Sequence, residues 1–134
     1  MVEKTVPSKI KAMLESTYNT AVASKVGDYA GIYKFGSYEL VSSTDGVGTK
    51  ILIPCNYSDD LSREDRDKWH QVIGMDLVNH CVNDIAVLGA EPLFFLDYLG
   101  TGLLKPRVFQ QILRGFVRGC TANGCALIGG ETAQ

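Results

Sequence analysis

The sequence predicts a single α+β domain, one mixed β-sheet with helices on one face. Apolar residues recur with helical spacing over 76–88 and again over 106–120. Short, strongly apolar runs at 93–96 and 126–128 lie where strands are expected. The two kinds of segment alternate as β, helix, β, helix, β, with no internal repeat and no low-complexity tract. That order packs helices against a sheet.

Residues 8–24 are expected to open the chain as a helix, with Ile10, Met13, Leu14 and Tyr18 spaced for one face. Gly27, Gly31 and Gly36 then mark a turn-rich stretch. A strand is expected over about 38–44, carried by Tyr38-Glu39-Leu40-Val41. Ile51-Leu52-Ile53 continues as strand or short helix, and Pro54 should end that run. Residues 58–70 are highly charged and read as a solvated surface segment. The helix over 76–88 has Leu77, Val78, Cys81, Val82, Ile85 and Leu88 as its stripe, with Gly89 as its stop. Pro92 opens the strand Leu93-Phe94-Phe95-Leu96. Pro106 suits the first turn of the next helix, where a missing N–H costs nothing. The stripe of that helix is Phe109, Ile112, Leu113, Phe116, Val117 and Cys120, and Gly124 ends it. Ala126-Leu127-Ile128 makes a final buried strand.

The 134 residues suffice to bury a real core, and 46% hydrophobic with 21% charged residues is ordinary for a globular domain. A formal net charge of −2 argues against general binding to nucleic acid or a membrane surface. No apolar run approaches the roughly 20 residues of a membrane helix. The start, Met1-Val2-Glu3-Lys4, lacks the apolar core of a secretory signal. A cytoplasmic protein is expected, with neither nucleic acid nor membrane as partner. Among the four cysteines, Cys55, Cys81, Cys120 and Cys125, no C-x-x-C pair occurs, which speaks against zinc or thioredoxin-type chemistry. Cys81 and Cys120 fall on the apolar stripes and read as small buried thiols.

The segment richest in chemistry is Thr44-Asp45-Gly46-Val47-Gly48-Thr49-Lys50, directly after an expected strand. It fits neither G-x-x-x-x-G-K-[ST] nor G-x-G-x-x-G. Two readings stand. One is a tight turn, which Asp-Gly commonly marks. The other is a phosphate cradle, in which glycines let amides approach phosphate oxygens, Lys50 adds a point charge and Asp45 can hold Mg²⁺. At about 100° per residue, Asp76, His80 and Asn83 share one arc of their helix, with Asp84 at its flank. Asp97 and Glu131 follow apolar runs, so three strands are expected to end near an acid: Asp45, Asp97 and Glu131. This convergence favours an ATP–Mg²⁺ site over a bare turn, and it names no reaction. His70 and His80 stand alone and read as structural or solvated.

Together these segments resemble the N-terminal domain of the phosphoribosylformylglycinamidine cyclo-ligase, or AIR synthetase, family. The matching stretches are 43–50, 73–78, 81–85, 89–98 and 124–133, in order within about 25–134. Phe94-Phe95-Leu96-Asp97-Tyr98 together with Gly129-Gly130-Glu131-Thr132-Ala133 is the most family-specific part. The resemblance implies ATP-dependent closure of formylglycinamidine ribonucleotide to 5-aminoimidazole ribonucleotide (AIR), with release of ADP and phosphate, in purine biosynthesis. It implies ATP and Mg²⁺ as cofactors. It implies Asp45 and Asp76 as metal ligands, and Gly46, Gly48, Thr49 and Lys50 along the phosphates. Asp76, Asn83 and Asp84 would support metal or nucleotide from the helix, and Glu131 would complete the nucleotide site. No catalytic residue is implied. It further implies a homodimer whose strands close a barrel, with small-molecule nucleotide substrates near the interface.

Members of that family are more than twice this length and carry a second α/β domain. Residues 1–134 are therefore expected to be the N-terminal ATP-binding and dimerisation domain, unable to cyclise substrate alone. The family continues with Glu-Met-Pro where this chain has Gln134. Segment 57–69 also looks longer than usual for the family. A formylglycinamidine synthase-type enzyme of the same superfamily and a non-catalytic assembly module of the same fold are the alternatives.

Overall fold

Two long helices pressed together organise the chain. The computed structural model describes residues 7–56 and 61–134. Within them the order is α1 (Ser8–Glu15), β1 (Gly31–Phe35), β2 (Tyr38–Ser42), a 3-10 turn (Gly48–Ile51), α2 (Leu52–Asn56), α3 (Arg63–Ala86), β3 (Phe94–Gly100), α4 (Pro106–Ala122) and β4 (Ala126–Ala133). The mixture of helices and strands is as expected. The single sheet is not: β1 and β2 form an antiparallel pair, and β3 and β4 form a separate parallel pair. Between β2 and β3 the chain runs through the 3-10 turn, α2 and α3, and β3 finds its partner across the α4 crossover. Among the described residues no helix is long and apolar enough to cross a membrane.

The first helix is shorter than 8–24. Ser16 and Thr17 donate their hydroxyls back to the carbonyls of Met13 and Leu14 at 2.7 and 2.8 Å, which competes with helix continuation. The chain then turns extended. Ala23 N donates to Ile32 O at 2.9 Å and Lys34 N to Ala21 O at 2.8 Å, so part of the expected helix lies along β1 instead. Gly36, at φ 63°, supplies the turn that pairs Phe35 with Tyr38 in the hairpin. Pro54 lies inside α2 rather than ending it, in a first turn that requires no N–H from it.

The helix expected from 76 begins at Arg63 and takes in much of the charged segment; residues 58–60 of that segment lie outside the described residues. Ser62 caps it, accepting from Asp65 N at 3.1 Å. Glu64 and Asp65 occupy the first turn, where negative charge meets the positive end of the helix. Lys68 pairs with Glu64 at 3.0 Å along the same face. These charges suit a helix start, so the segment is helical as well as solvated.

Glycine brings α3 and α4 together. A Cβ on Gly115 would run into the Gln71 carbonyl, and one on Gly119 would lie 2.8 Å from Val78 Cβ. A Cβ on Gly74 would come within 3.1 Å of Gly115 Cα. The backbones therefore approach closely, and Val78, Ile112, Phe116 and Cys120 form the core beneath Phe95, Leu99 and Leu127 of the strand pair. The Phe95 and Phe116 rings sit 6.1 Å apart, within the range of favourable aromatic pairs. Cys81 and Cys120 are buried, as their positions on the stripes imply. Val117 is 53% exposed instead of buried, because Gly115 and Gly119 turn the packed arc toward Ile112, Phe116 and Cys120.

β3 and β4 run past the apolar segments that announce them. Asp97 and Glu131 consequently lie within strands and not at strand ends. Asp97 sits between the partly buried Phe95 and Leu99, opposite Gly130, whose missing side chain leaves it room. Burial raises the pKa of Asp97 above the ordinary carboxylate value.

Gly115→Ala is expected to lose about 2–3 kcal/mol of stability, since the helices must separate to admit a methyl group. Urea denaturation measures it, and a loss below about 0.5 kcal/mol would rule out the close contact. His70 gives a second expectation. Burial holds its pKa below the ordinary 6.5, so the unfolded chain protonates first. The stability it contributes is complete above about pH 6.5 and is lost as pH falls toward its folded value. His70→Gln should flatten the fall in urea midpoint between about pH 7.5 and about pH 5.5.

Candidate functional site

The loop after β2 lies along α3, held by three side-chain contacts. Ser43 Oγ donates to Asp84 Oδ2 at 2.9 Å. Asp45 Oδ2 lies 2.8 Å from His80 Nε2. Lys50 Nζ pairs with Asp76. Residues 76, 80 and 84 follow one another at one-turn spacing on the helix surface. The loop meets them in reverse order, 84 then 80 then 76, so it runs antiparallel to α3 along a single stripe. These side chains are about half exposed, and such pairs contribute little net stability. Their contribution is positional, and a charged ligand can exchange with them at small cost.

The backbone of the loop is open. Gly46 N donates to Asp45 Oδ1 at 2.6 Å. Gly48 has φ 66°, a conformation that favours glycine, and it starts the 3-10 turn that carries Thr49 and Lys50. Nothing lies within 4 Å of a Cβ built on Gly46 or Gly48. Packing therefore does not require either glycine to lack a side chain. Below the loop, burial pushes up the pKa of the Cys81 thiol, which lies against the Asp45 backbone.

The structure thus brings together Asp45, Lys50, Asp76 and Asp84, with Gly46, Gly48 and Thr49 in the same loop. Asn83 is exposed on α3, beside Asp84. Glu131 stands apart: it is exposed on β4 opposite Tyr98, and among the described residues it makes no hydrogen bond or ion pair with this group. Ser43 and His80 join the site as direct contacts. Helical spacing from Asp76 and Asp84 is the signal that marks His80, which in isolation reads as structural or solvated.

Asp45 and Asp76 offer the hard oxygen donors that Mg²⁺ takes, although each faces a basic side chain of this chain. No three His, Cys, Asp or Glu side chains among the described residues converge as a metal cage. A cavity of about 860 Å³ opens beside the N-terminal half of α3, lined by Val47, Ile51, His70, Ile73, Leu99 and Phe109 among others. Its rim holds Arg107, whose Nε donates to Asp67 Oδ1 at 3.0 Å and keeps the Asp67 carboxyl below its usual pKa. Of the glycine-rich loop only Val47 reaches this cavity, so the cavity and the polar stripe are separate features.

Comparison with known proteins bears on both fold and family. Phosphoribosylformylglycinamidine cyclo-ligase of Crocosphaera subtropica is 48% identical over 130 residues, covering 94% of this chain and 35% of the relative. The enzyme of the same name from Trichlorobacter lovleyi is 47% identical over 131 residues, and that from Thermodesulfovibrio yellowstonii is 46% identical over 132 residues. The chain spans about a third of the length of these relatives. Among solved structures, AaThiL complexed with AMPPCP and TMP superposes with a TM-score of 0.66 at 20% identity, covering 94% of this chain and 35% of that one. That likeness is one of fold. Residues 27–134 match the family described as AIR synthase related protein, N-terminal domain. The chain belongs to that family.

Proposed function

We propose that residues 1–134 form the ATP-binding and dimerising domain of a phosphoribosylformylglycinamidine cyclo-ligase, acting in cytoplasmic purine biosynthesis. The observation that carries the nucleotide site is the open glycine loop held along α3 by the Asp45–His80, Lys50–Asp76 and Ser43–Asp84 contacts. The shared name of relatives 46–48% identical supports the reaction. A protein of the same fold in complex with AMPPCP supports a nucleotide ligand.

In this reading Lys50 leaves Asp76 for the phosphates, and the amides around Gly46, Gly48 and Thr49 approach phosphate oxygens. Asp45 and Asp76 would hold Mg²⁺, whose charge would offset that of the phosphates. Asn83 and Asp84 would steady this arrangement from α3, and Glu131, apart from this group within one copy, would complete the site across the proposed dimer interface. The chemistry needs a leaving group. ATP phosphorylates the formyl oxygen of formylglycinamidine ribonucleotide, an internal nitrogen attacks that carbon, and the oxygen departs as phosphate. The protein's contribution is then positioning and charge stabilisation. The remaining substrate contacts belong to parts of the enzyme beyond this domain, so the domain by itself binds nucleotide without cyclising substrate.

The uncovered side of the strand pair supports a homodimer. Phe94, Leu96 and Tyr98 are 57%, 59% and 67% exposed on β3, beside Ile128 of β4. An apolar face of this kind marks an interface, and pairing with a second copy would extend the strands toward a barrel.

Calorimetry with Mg-ADP is expected to show binding that Asp45→Asn weakens at least about tenfold while leaving the circular dichroism spectrum unchanged. Undiminished affinity in that variant would refute the assignment of Asp45. Sedimentation equilibrium should show a dimer, and Leu96→Glu combined with Tyr98→Lys should convert it to a folded monomer. A wild-type monomer at high micromolar concentration would remove the barrel from the account.

A further inference from the structure

We propose that Cys120 and Cys125 form a reversible disulfide, a modification site on the turn that joins α4 to β4. The backbone there closes a two-bond cap. Cys125 N donates to Cys120 O at 3.0 Å, Gly124 N donates to Thr121 O at 3.3 Å, and Gly124 has φ 68°. This is the Schellman arrangement, in which the residue after the glycine packs its side chain against the third-from-last helical residue. Here those two positions are both cysteine. The hydrogen bond between their backbones limits their Cα atoms to about 7 Å apart, at the edge of disulfide reach or within it.

The side chains share one environment. Cys125 packs against the cluster of Val78, Ile112, Phe116 and Cys120. Both are free thiols in this structure. Cys120 is 3% exposed, and its pKa is pushed up to about 12, first by burial and next by the adjacent Cys125. Cys120 is therefore a protonated thiol at neutral pH. Cys125 is half-buried and is the sulfur that an oxidant meets first.

With a hydroperoxide as oxidant the step balances. The Cys125 sulfur attacks a peroxide oxygen, the O–O bond breaks, and a sulfenic acid and water result. The Cys120 sulfur then attacks the Cys125 sulfur. The S–O bond breaks, the S–S bond forms, and a second water leaves with the Cys120 proton. Two thiols lose two electrons and the peroxide gains them. A thiol reductant reverses the bond by exchange. The crosslink ties the end of α4 to the start of the strand that carries Gly130 and Glu131.

The test uses the folded 134-residue protein and hydrogen peroxide, followed by acid quenching and alkylation in denaturant. No Lys or Arg follows Arg118, so trypsin leaves both cysteines in the single peptide 119–134. That peptide should be lighter by two hydrogen atoms and unalkylated, should recover both alkyl groups after dithiothreitol, and should show no such loss in Cys125→Ser. In glutathione buffers the folded chain should reach half-oxidation at an oxidant ratio about tenfold lower than the same chain in urea. Two alkyl groups on the peptide after peroxide would overturn the proposal. So would crosslinking to another chain, or a disulfide no more favoured in the folded state than in urea.

Discussion

The close approach of α3 and α4 at Gly74, Gly115 and Gly119 is the constraint on which the rest of the fold depends. It fixes which arc of each helix is buried. Once Val78 and Gly74 of α3 face α4, residues 76, 80 and 84 are left on a more exposed stripe. The same contact seats Phe116 under Phe95, so the strand pair is positioned by the helices and not by other strands. Core packing and candidate site are thus two faces of one helix.

A polar loop on such a helix needs little binding energy of its own. Half-exposed pairs such as Lys50–Asp76 and Asp45–His80 contribute at most about 1 kcal/mol each. In the proposed site they define an orientation that phosphate and a divalent ion would take over, because a lysine moves from carboxylate to phosphate without losing a charge partner. Glu131 stands apart from the loop in this chain. It lies on the outer face of the strand pair with Tyr98, the apolar face proposed to meet a second subunit.

Local signals made some elements legible. Pro106 and Gly124 bracket α4 because a proline tolerates the first helical turn and a glycine takes the positive φ past the last. The start of α3 was hidden, since Arg63 to Lys68 present charges to solvent and no apolar period marks the helix there. Strand lengths were hidden by Asp97 and Gly130, a polar residue and a glycine that fit the sheet only as a pair. Strand pairing is non-local, and nothing in β2 or β3 alone tells that they join different sheets. In the site, the residue types of the loop and the arc of Asp76, His80 and Asn83 were readable from spacing. The direction of the loop along α3, and with it the contacts of Ser43 and His80, required the fold.

The central claim is that nucleotide binds where the loop crosses α3. Amide chemical-shift mapping of the ¹⁵N-labelled chain during titration with Mg-ADP tests it most directly. Nucleotide bound there gives the largest shifts at Gly46, Gly48, Thr49 and Lys50, together with 76–84 on α3. Shifts confined to the cavity lining at His70, Leu104 and Arg107, with the loop unmoved, would contradict it.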